Sequence, residues 1–350
     1  MIIQVINSQL YSNPYQRLLY SALEGRYIPV KGDAPFAAAE LQRAKRGIFH
    51  IHWEEAIFRG CADRQAGRNK LRRFLQELHK YRDAGGKIVW TVHNAIPHDK
   101  GHWSSFSELR RQLGQLSDRI LLHNTASIPQ FQEQVDAPAA KLMVLPHPSY
   151  QGIYDNVEDS VDTKTAAHAA DLLVFGRIKT YKNAHSLIGE LDENFLKRHA
   201  LRLRISGEAS EKDRYLAKLR TLATGRSALI DPRRVPDEEV APLLRSVTAV
   251  LIPYERVFTS GVAVLCLTLG VPAIAARTPQ MLELFPEMAH ELLFDADSPD
   301  DLRRAIVVLR GWDNEHRQRY LAAARERASA ISPKTVSIRL GALYDELLDI

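Results

Sequence analysis

The chain has 350 residues, 45% of them hydrophobic and 25% charged, with a formal net charge of +5. That composition excludes a disordered or fibrous protein and predicts a soluble globular one of about two domains. No apolar run reaches about 18 residues, so no transmembrane helix is expected, and two cysteines are too few for a disulfide framework, which fits a reducing cytoplasm.

The N-terminus, Met1-Ile2-Ile3-Gln4-Val5-Ile6, lacks a basic flank and a long apolar core, so it reads as a first strand and not a signal peptide. Strand-like runs follow near 47–51, 87–92, 119–123 and 141–145, with a strongly amphipathic helix around 66–84. The polar, acidic segment 155–170 reads as a linker. Beyond it, strands are expected near 171–175, 201–205, 227–230, 248–252 and 272–275. Helices are expected near 182–192, 211–222, 237–245, 260–269, 298–310 and 314–330. A last helix, about 334–348, follows Ser332-Pro333. Alternating strands and helices predict an α/β chain with open parallel sheets. The expected division is an N-terminal domain over 1–154, the linker 155–170, a C-terminal domain over 171–331, and a helix over 332–350 that packs back on the first domain. Ligands of such sheets sit beyond the carboxyl ends of the strands, so the cleft between two facing domains is the expected site.

The strongest chemical signal is Phe175-Gly176-Arg177-Ile178-Lys179-Thr180-Tyr181-Lys182-Asn183. A buried strand ends in a glycine, then an arginine, and a lysine five residues later opens a helix. Two cations and a helix N-terminus at one strand end suit a diphosphate. Two further strand ends share this character. Arg204-Ile205-Ser206-Gly207-Glu208 runs into a glycine that lets backbone approach a ligand. Pro253-Tyr254 leads to Thr259-Ser260-Gly261, whose N–H groups and hydroxyls suit a phosphate at the start of an apolar helix. The loop Asp231–Pro236, around Val235, is placed to border a base through backbone groups, with Asp237 as N-cap of the next helix. Arg177, Lys182, Thr259, Ser260 and Gly261 are therefore assigned to the diphosphate, and Gly207, Val235 and Tyr254 to the nucleoside.

These motifs, with Leu269-Gly270-Val271-Pro272, resemble the donor half of GT-B glycosyltransferases, which have two Rossmann-like doubly wound domains facing a cleft. The first half narrows the resemblance. Asn13-Pro14-Tyr15, Leu18-Leu19-Tyr20, His50-Ile51-His52-Trp53, Glu55, and Thr91-Val92-His93-Asn94 with Pro97-His98 resemble the xanthan-type β-mannosyltransferase family. That family implies transfer of mannose from GDP-mannose to a polyprenyl-diphosphate oligosaccharide in exopolysaccharide synthesis. It also implies no cofactor beyond the nucleotide sugar and no obligatory metal. Many retaining GT-B enzymes carry paired glutamates near the Ser260 helix. Here the position five before Gly270 is Leu265, and Glu255 lies outside the usual spacing, which agrees with an inverting enzyme.

Inversion needs a base for the acceptor hydroxyl, and a carboxylate or imidazole is the usual choice. His52, Glu54 and Glu55 follow one strand, His93 and Asn94 a second, and His123 a third. Glu55 is favoured because the resemblance places a glutamate just after His-Trp. His93 is next, and His52 orients the site or binds sugar; which of the three is the base stays open. Trp53 is read as a sugar-stacking ring or a core residue. Asn13, Tyr15, Trp53, Asn94 and His147 are assigned to the acceptor or cleft wall.

The cations from Arg64 to Lys87 exceed the acids, and one apolar stripe should pack on the sheet. The excess charge could also sit against an anionic bilayer, and the resemblance implies a peripheral protein on the inner face of the cell membrane. Partners are then a nucleotide-sugar donor, a lipid-linked acceptor and an anionic surface. Nucleic acid is not expected, because no zinc-ligand spacing, helix-turn-helix or ribonucleoprotein motif is present. Competing readings keep the fold with UDP-glucuronate or GDP-fucose as donor, or make the chain a non-catalytic nucleotide-sugar-binding protein.

Overall fold

A computed structural model describes residues 2–6 (backbone course only), 14–23, 25–94, 103–154, 171–254 and 257–350. The expected linker 155–170, Asn13 and Glu255 lie outside the described residues. The chain forms two compact units. The first runs to Pro148 and takes in Val257–Thr259 and Ile331–Ile350; the second comprises Ser149–Arg256 and Ser260–Ala330.

The first unit is built on six parallel strands in the order β2-β1-β3-β4-β5-β6. They are β1 (Ile2–Ile6), β2 (Tyr27–Lys31), β3 (Ile48–His52), β4 (Lys87–Thr91), β5 (Arg119–Leu122) and β6 (Leu142–Val144), with helices α1 (Pro14–Leu19), α2 (Ala34–Ala44), α3 (Arg64–Asp83), α4 (Trp103–Leu116) and α5 (Ser127–Gln132). The second unit has the order β12-β11-β10-β7-β8-β9, again all parallel. Its strands are β7 (Asp171–Phe175), β8 (Arg202–Ser206), β9 (Ala228–Asp231), β10 (Ala249–Ile252), β11 (Ala273–Ala276) and β12 (Leu293–Phe294). Its helices are α6 (Ala184–Glu190), α7 (Glu193–Arg198), α8 (Arg214–Ala223), α9 (Asp237–Arg245), α10 (Gly261–Leu269), α11 (Pro279–Leu284), α12 (Pro299–Arg310) and α13 (Asn314–Ala330). The chain then returns to the first unit as α14 (Pro333–Leu348).

Strand order locates the functional edges. The chain reverses direction across the first sheet between β1 and β3, and across the second between β7 and β10. Ligands of doubly wound sheets lie beyond the carboxyl ends of such strand pairs. The loops there begin at Trp53 in the first unit, and at Gly176 and Pro253 in the second.

Local chemistry explains the supporting helices. In α3, Asp63 caps the first turn by accepting from the Ala66 amide at 2.8 Å, while Leu71, Leu78 and Tyr81 are buried against the sheet. Arg64, Arg68, Arg72, Arg73 and Lys80 face outward. Helix α14 is capped by Ser332, and its Val336, Leu340, Leu343 and Tyr344 share a core with Tyr15, Leu19 and Tyr27.

Some expectations need correction. The first unit ends at Pro148, not near 154: the Tyr150 amide donates to Thr268 Oγ1 at 3.0 Å, and Gln151 bonds Ser329, so these residues belong to the second unit. Thr259 falls with the first unit, separate from Ser260. Pro236, not Asp237, is the cap position of α9, and Asp237 opens the first turn.

Candidate active site

Strand β3 is buried on both faces, yet it carries two polar residues. His50 and His52 stand two apart on one face and are fully buried. Burial without partners would be costly, and both rings are bonded. Tyr20 Oη lies 2.6 Å from His52 Nε2 and 3.1 Å from His50 Nδ1. Tyr344 Oη lies 2.6 Å from His50 Nδ1, and Thr91 Oγ1 lies 2.7 Å from His50 Nε2. His52 Nδ1 meets His93 Nε2 at 2.9 Å.

Trp53 follows in the left-handed conformation (φ 45°), a costly geometry for a bulky residue. It turns the chain into the 3-10 turn Glu54–Phe58 and lays the indole flat on His93, with ring centroids 4.2 Å apart and planes at 12°. The two glutamates then diverge. Glu54 points into the core, where Arg110 Nε donates to it at 2.9 Å and Trp90 Nε1 at 3.3 Å. Glu55 is half-buried and accepts from Asn94 Nδ2 at 2.9 Å. Burial and the neighbouring Glu54 carboxylate push its pKa up to about 7, against the opposing pull of the Asn94 bond and Arg110. Arg110 ties both loops together, because its Nη2 also donates to the Asn94 carbonyl at 2.6 Å.

The ends of β5 and β6 add His123 and His147. Their Nδ1 atoms donate to the carbonyls of Leu145 (2.9 Å) and Pro148 (2.7 Å). A carbonyl only accepts, so both neutral rings are the Nδ1–H tautomer. Tyr15 sits among these rings, its centroid 4.8 Å from those of His93 and His147 and 5.3 Å from that of His123. Burial holds His50, His52 and His93 well below the usual imidazole range, and lowers His123 to about 4 and His147 to about 3. The cluster is therefore neutral near pH 7, with Glu55 as its titrating neighbour. Of the residues assigned to this side from sequence, Tyr15, His52, Trp53, Glu55, His93, Asn94 and His147 come together. Arg110, Tyr20 and Tyr344 complete the site without having been assigned to it.

In the second unit, the ends of β7 and β8 are pressed together. The Gly176 amide donates to the Ser206 carbonyl and the Gly207 amide to the Asp231 carbonyl, both at 3.0 Å. A Cβ on Gly207 (φ +150°) would lie 2.2 Å from the Gly176 carbonyl oxygen, and one on Gly176 (φ +89°) 2.7 Å from Lys182 Nζ. The glycines are therefore required. Lys182 is buried and donates to the Phe175 carbonyl at 2.6 Å; burial draws its ammonium down to about 8. Arg177 is exposed and faces Glu208 at 3.4 Å. Gly176 also abuts Val262 in the first turn of α10, since its added Cβ would lie 3.9 Å from that side chain. Lys182 and the N-terminus of α10 thus flank one spot at the β7/β10 edge.

Ser260 caps α10, its hydroxyl accepting from the Ala263 amide at 3.2 Å and bonding Tyr254 Oη at 2.7 Å. Tyr254, assigned to the nucleoside from sequence, is buried and braces this cap. The Val235 side chain is buried too, so only its backbone is left for a base. Gly207→Ala is expected to push the β7 and β8 ends apart and to weaken nucleoside-diphosphate binding at least tenfold. Calorimetric titration with GDP and UDP checks this.

Two units with these parallel sheets, and strand ends that gather cations on one and imidazoles with a carboxylate on the other, define a class. Residues 169–310 match the family described as glycosyl transferases group 1. Solved structures of similar fold include Anabaena Alr3699/HepE in complex with UDP and glucose. It has a TM-score of 0.70 at 13% identity, with 99% of this chain and 100% of that one covered. A glycosyltransferase from Rickettsia africae ESF-5 has a TM-score of 0.69 at 12% identity, covering 99% and 98%. The fold is of the GT-B type, and its second unit carries the match to glycosyl transferases group 1. It is 27% identical over 270 residues to the GDP-mannose:glycolipid 4-β-D-mannosyltransferase of Xanthomonas campestris pv. campestris, across 75% of this chain and 70% of that protein.

Proposed function

We propose that the protein is an inverting mannosyltransferase that moves mannose from GDP-mannose to a polyprenyl-diphosphate-linked oligosaccharide in exopolysaccharide synthesis. The observation that carries this reading is Glu55: a half-buried carboxylate held by Asn94, with its pKa near 7, beside neutral imidazoles. A base poised near the working pH is matched to its task. Glu55 takes the acceptor hydroxyl proton as that oxygen attacks the anomeric carbon. The bond from that carbon to the phosphate oxygen breaks, and its electron pair leaves with the diphosphate. Lys182, Arg177 and the N-terminal amides of α10 stabilise the charge that develops there. Leu265 is buried in α10 and offers no carboxylate, which favours inversion.

The acceptor is lipid-linked, and the outward cations of α3 serve a peripheral place on the cytoplasmic membrane face. Among the described residues no helix is long and apolar enough to cross a membrane. A panel of GDP-mannose, GDP-fucose and UDP-glucuronate, each offered with lipid-linked oligosaccharides, tests the function. The expected result is transfer from GDP-mannose alone. Transfer from another donor would change the sugar, and saturable binding without turnover would make the chain a binding protein. In the same preparation, removing the charges of Arg64, Arg68 and Arg72 is expected to weaken binding to anionic vesicles, and unchanged binding would remove the membrane role.

A further inference from the structure

Behind His93 runs an unbroken line of hydrogen bonds that the base mechanism does not use. From the rim inward it passes from His93 Nε2 to His52 Nδ1 (2.9 Å), then from His52 Nε2 to Tyr20 Oη (2.6 Å). Tyr20 Oη meets His50 Nδ1 (3.1 Å), which also meets Tyr344 Oη (2.6 Å), and His50 Nε2 ends the line at Thr91 Oγ1 (2.7 Å). Each of the three imidazoles uses both ring nitrogens or, in His93, leaves Nδ1 without a partner among the described residues. The rings span two strand ends, and the phenols come from the turn that follows α1 and from α14, the last helix of the unit.

The geometry points to a positioning relay. A neutral imidazole has one donor and one acceptor nitrogen. Through a neutral ring the sense of one bond sets the sense of the next, whereas a phenol, with one hydrogen and two lone pairs, donates once and accepts from either side. The segment His93–His52–Tyr20 therefore has two self-consistent senses, set by whether Tyr20 donates to His52 or accepts from it. In one, His93 Nδ1 presents a lone pair at the rim; in the other, an N–H. Hydrogen bonds in such a chain polarise one another in a low-dielectric interior, so mixed senses are disfavoured. Charging the chain is disfavoured as well, because burial keeps these rings neutral. Trp53 fixes the plane of the His93 ring, and the chain fixes its tautomer.

The rim nitrogen of His93 accordingly recognises a sugar hydroxyl of the acceptor, held in register for Glu55 by residues that never touch it. Tyr20 and Tyr344 are the positioning residues, and α14, at the far end of the sequence, is part of the acceptor side of the enzyme. This inference rests on the transferase reading above.

The test uses the full-length protein with 15N-labelled histidine and the variants Tyr20→Phe and Tyr344→Phe, each first shown to melt cooperatively. Two-bond 15N–1H correlations report the tautomer of each ring. The wild type is expected to show His93 and His52 as single neutral tautomers of matching sense. Tyr20→Phe is expected to leave His93 averaging between tautomers and to raise the acceptor KM about tenfold, with GDP binding unchanged. Tyr344→Phe should act in the same direction, more weakly, because the Tyr20 contact to His50 survives. A wild-type His93 that already averages, or a Tyr20→Phe protein with unaltered His93 signals and acceptor KM, would overturn the relay. The imidazole signals need no substrate, so failure of the transferase reading shows separately, as no turnover by a wild type whose tautomers are fixed.

Discussion

Replacing Glu55 by glutamine is expected to lower kcat by about 10²–10⁴-fold, the usual contribution of a positioned general base. Glutamine keeps the size of the side chain and still offers a carbonyl to Asn94 Nδ2, so the loop from Trp53 to Phe58 should hold its shape. In the proposed reading the second unit binds the donor, so donor binding should change little. The pH dependence gives the substitution a second signature. Glu55 acts only when ionised, so in the wild type kcat/KM should rise as pH passes about 7. In the proposed mechanism Lys182 supports the leaving diphosphate only when protonated, so kcat/KM should fall again as pH passes about 8. The resulting bell is narrow. Glu55→Gln should lose the rising limb and keep the falling one. If Glu55→Gln retains near-normal kcat while His93→Ala does not, the base is His93. Initial rates between pH 5.5 and 9.5 decide the matter.

Arg110→Ala is expected to be the most damaging single change to the stability of the first unit. Arg110 and Glu54 are almost completely buried, with side chains 3% and 1% exposed. The guanidinium also donates to Gln134 Oε1 at 2.9 Å and to the Asn94 carbonyl, and lies over the rings of Phe106 and Trp90. Removing one partner of such a pair leaves an uncompensated buried charge, at a cost of about 3–5 kcal/mol. For a unit of this size the melting temperature should fall by roughly 10 °C. Activity should fall further than unfolding explains, because Asn94 and Glu55 lose the group that anchors their loops. The double variant Arg110→Met with Glu54→Gln removes both charges and should recover most of the stability but not the activity. Calorimetric melting of the three proteins separates the two effects.

Much of the arrangement is written locally. The runs Leu172-Leu173-Val174 and Ala249-Val250-Leu251-Ile252 are apolar and buried, and their strands end at the edge where the strand order reverses. The imidazoles of His52, His93 and His147 and the carboxylate of Glu55 are legible as strand-end residues because their strands are. Helices α9 and α13 fall at their expected bounds, 237–245 and 314–330.

What was not legible has physical causes. Strand β2 carries Pro29 in its middle and is an edge strand, where a missing N–H is tolerated; the proline hides it from pattern reading. Helix α2 is announced only by its Asp33 cap and a proline in the first turn. Arg110 meets Glu54 across 56 positions, and Tyr344 meets His50 across 294, separations at which no spacing rule operates. Tyr254, assigned to the nucleoside, is buried with its hydroxyl 2.7 Å from Ser260 Oγ, a brace on the α10 cap that its place at a strand end does not announce.

The anomeric configuration of the transferred sugar is the most direct test of the central claim. The protein would be incubated with GDP-mannose labelled with 13C at the anomeric carbon and a polyprenyl-diphosphate-linked oligosaccharide, and the one-bond C1–H1 coupling of the product measured. An inverting enzyme with Glu55 as base converts the α-linked mannose of the donor into a β-mannoside. An α-mannoside product would show retention and contradict both the assignment of Glu55 and the meaning given to Leu265.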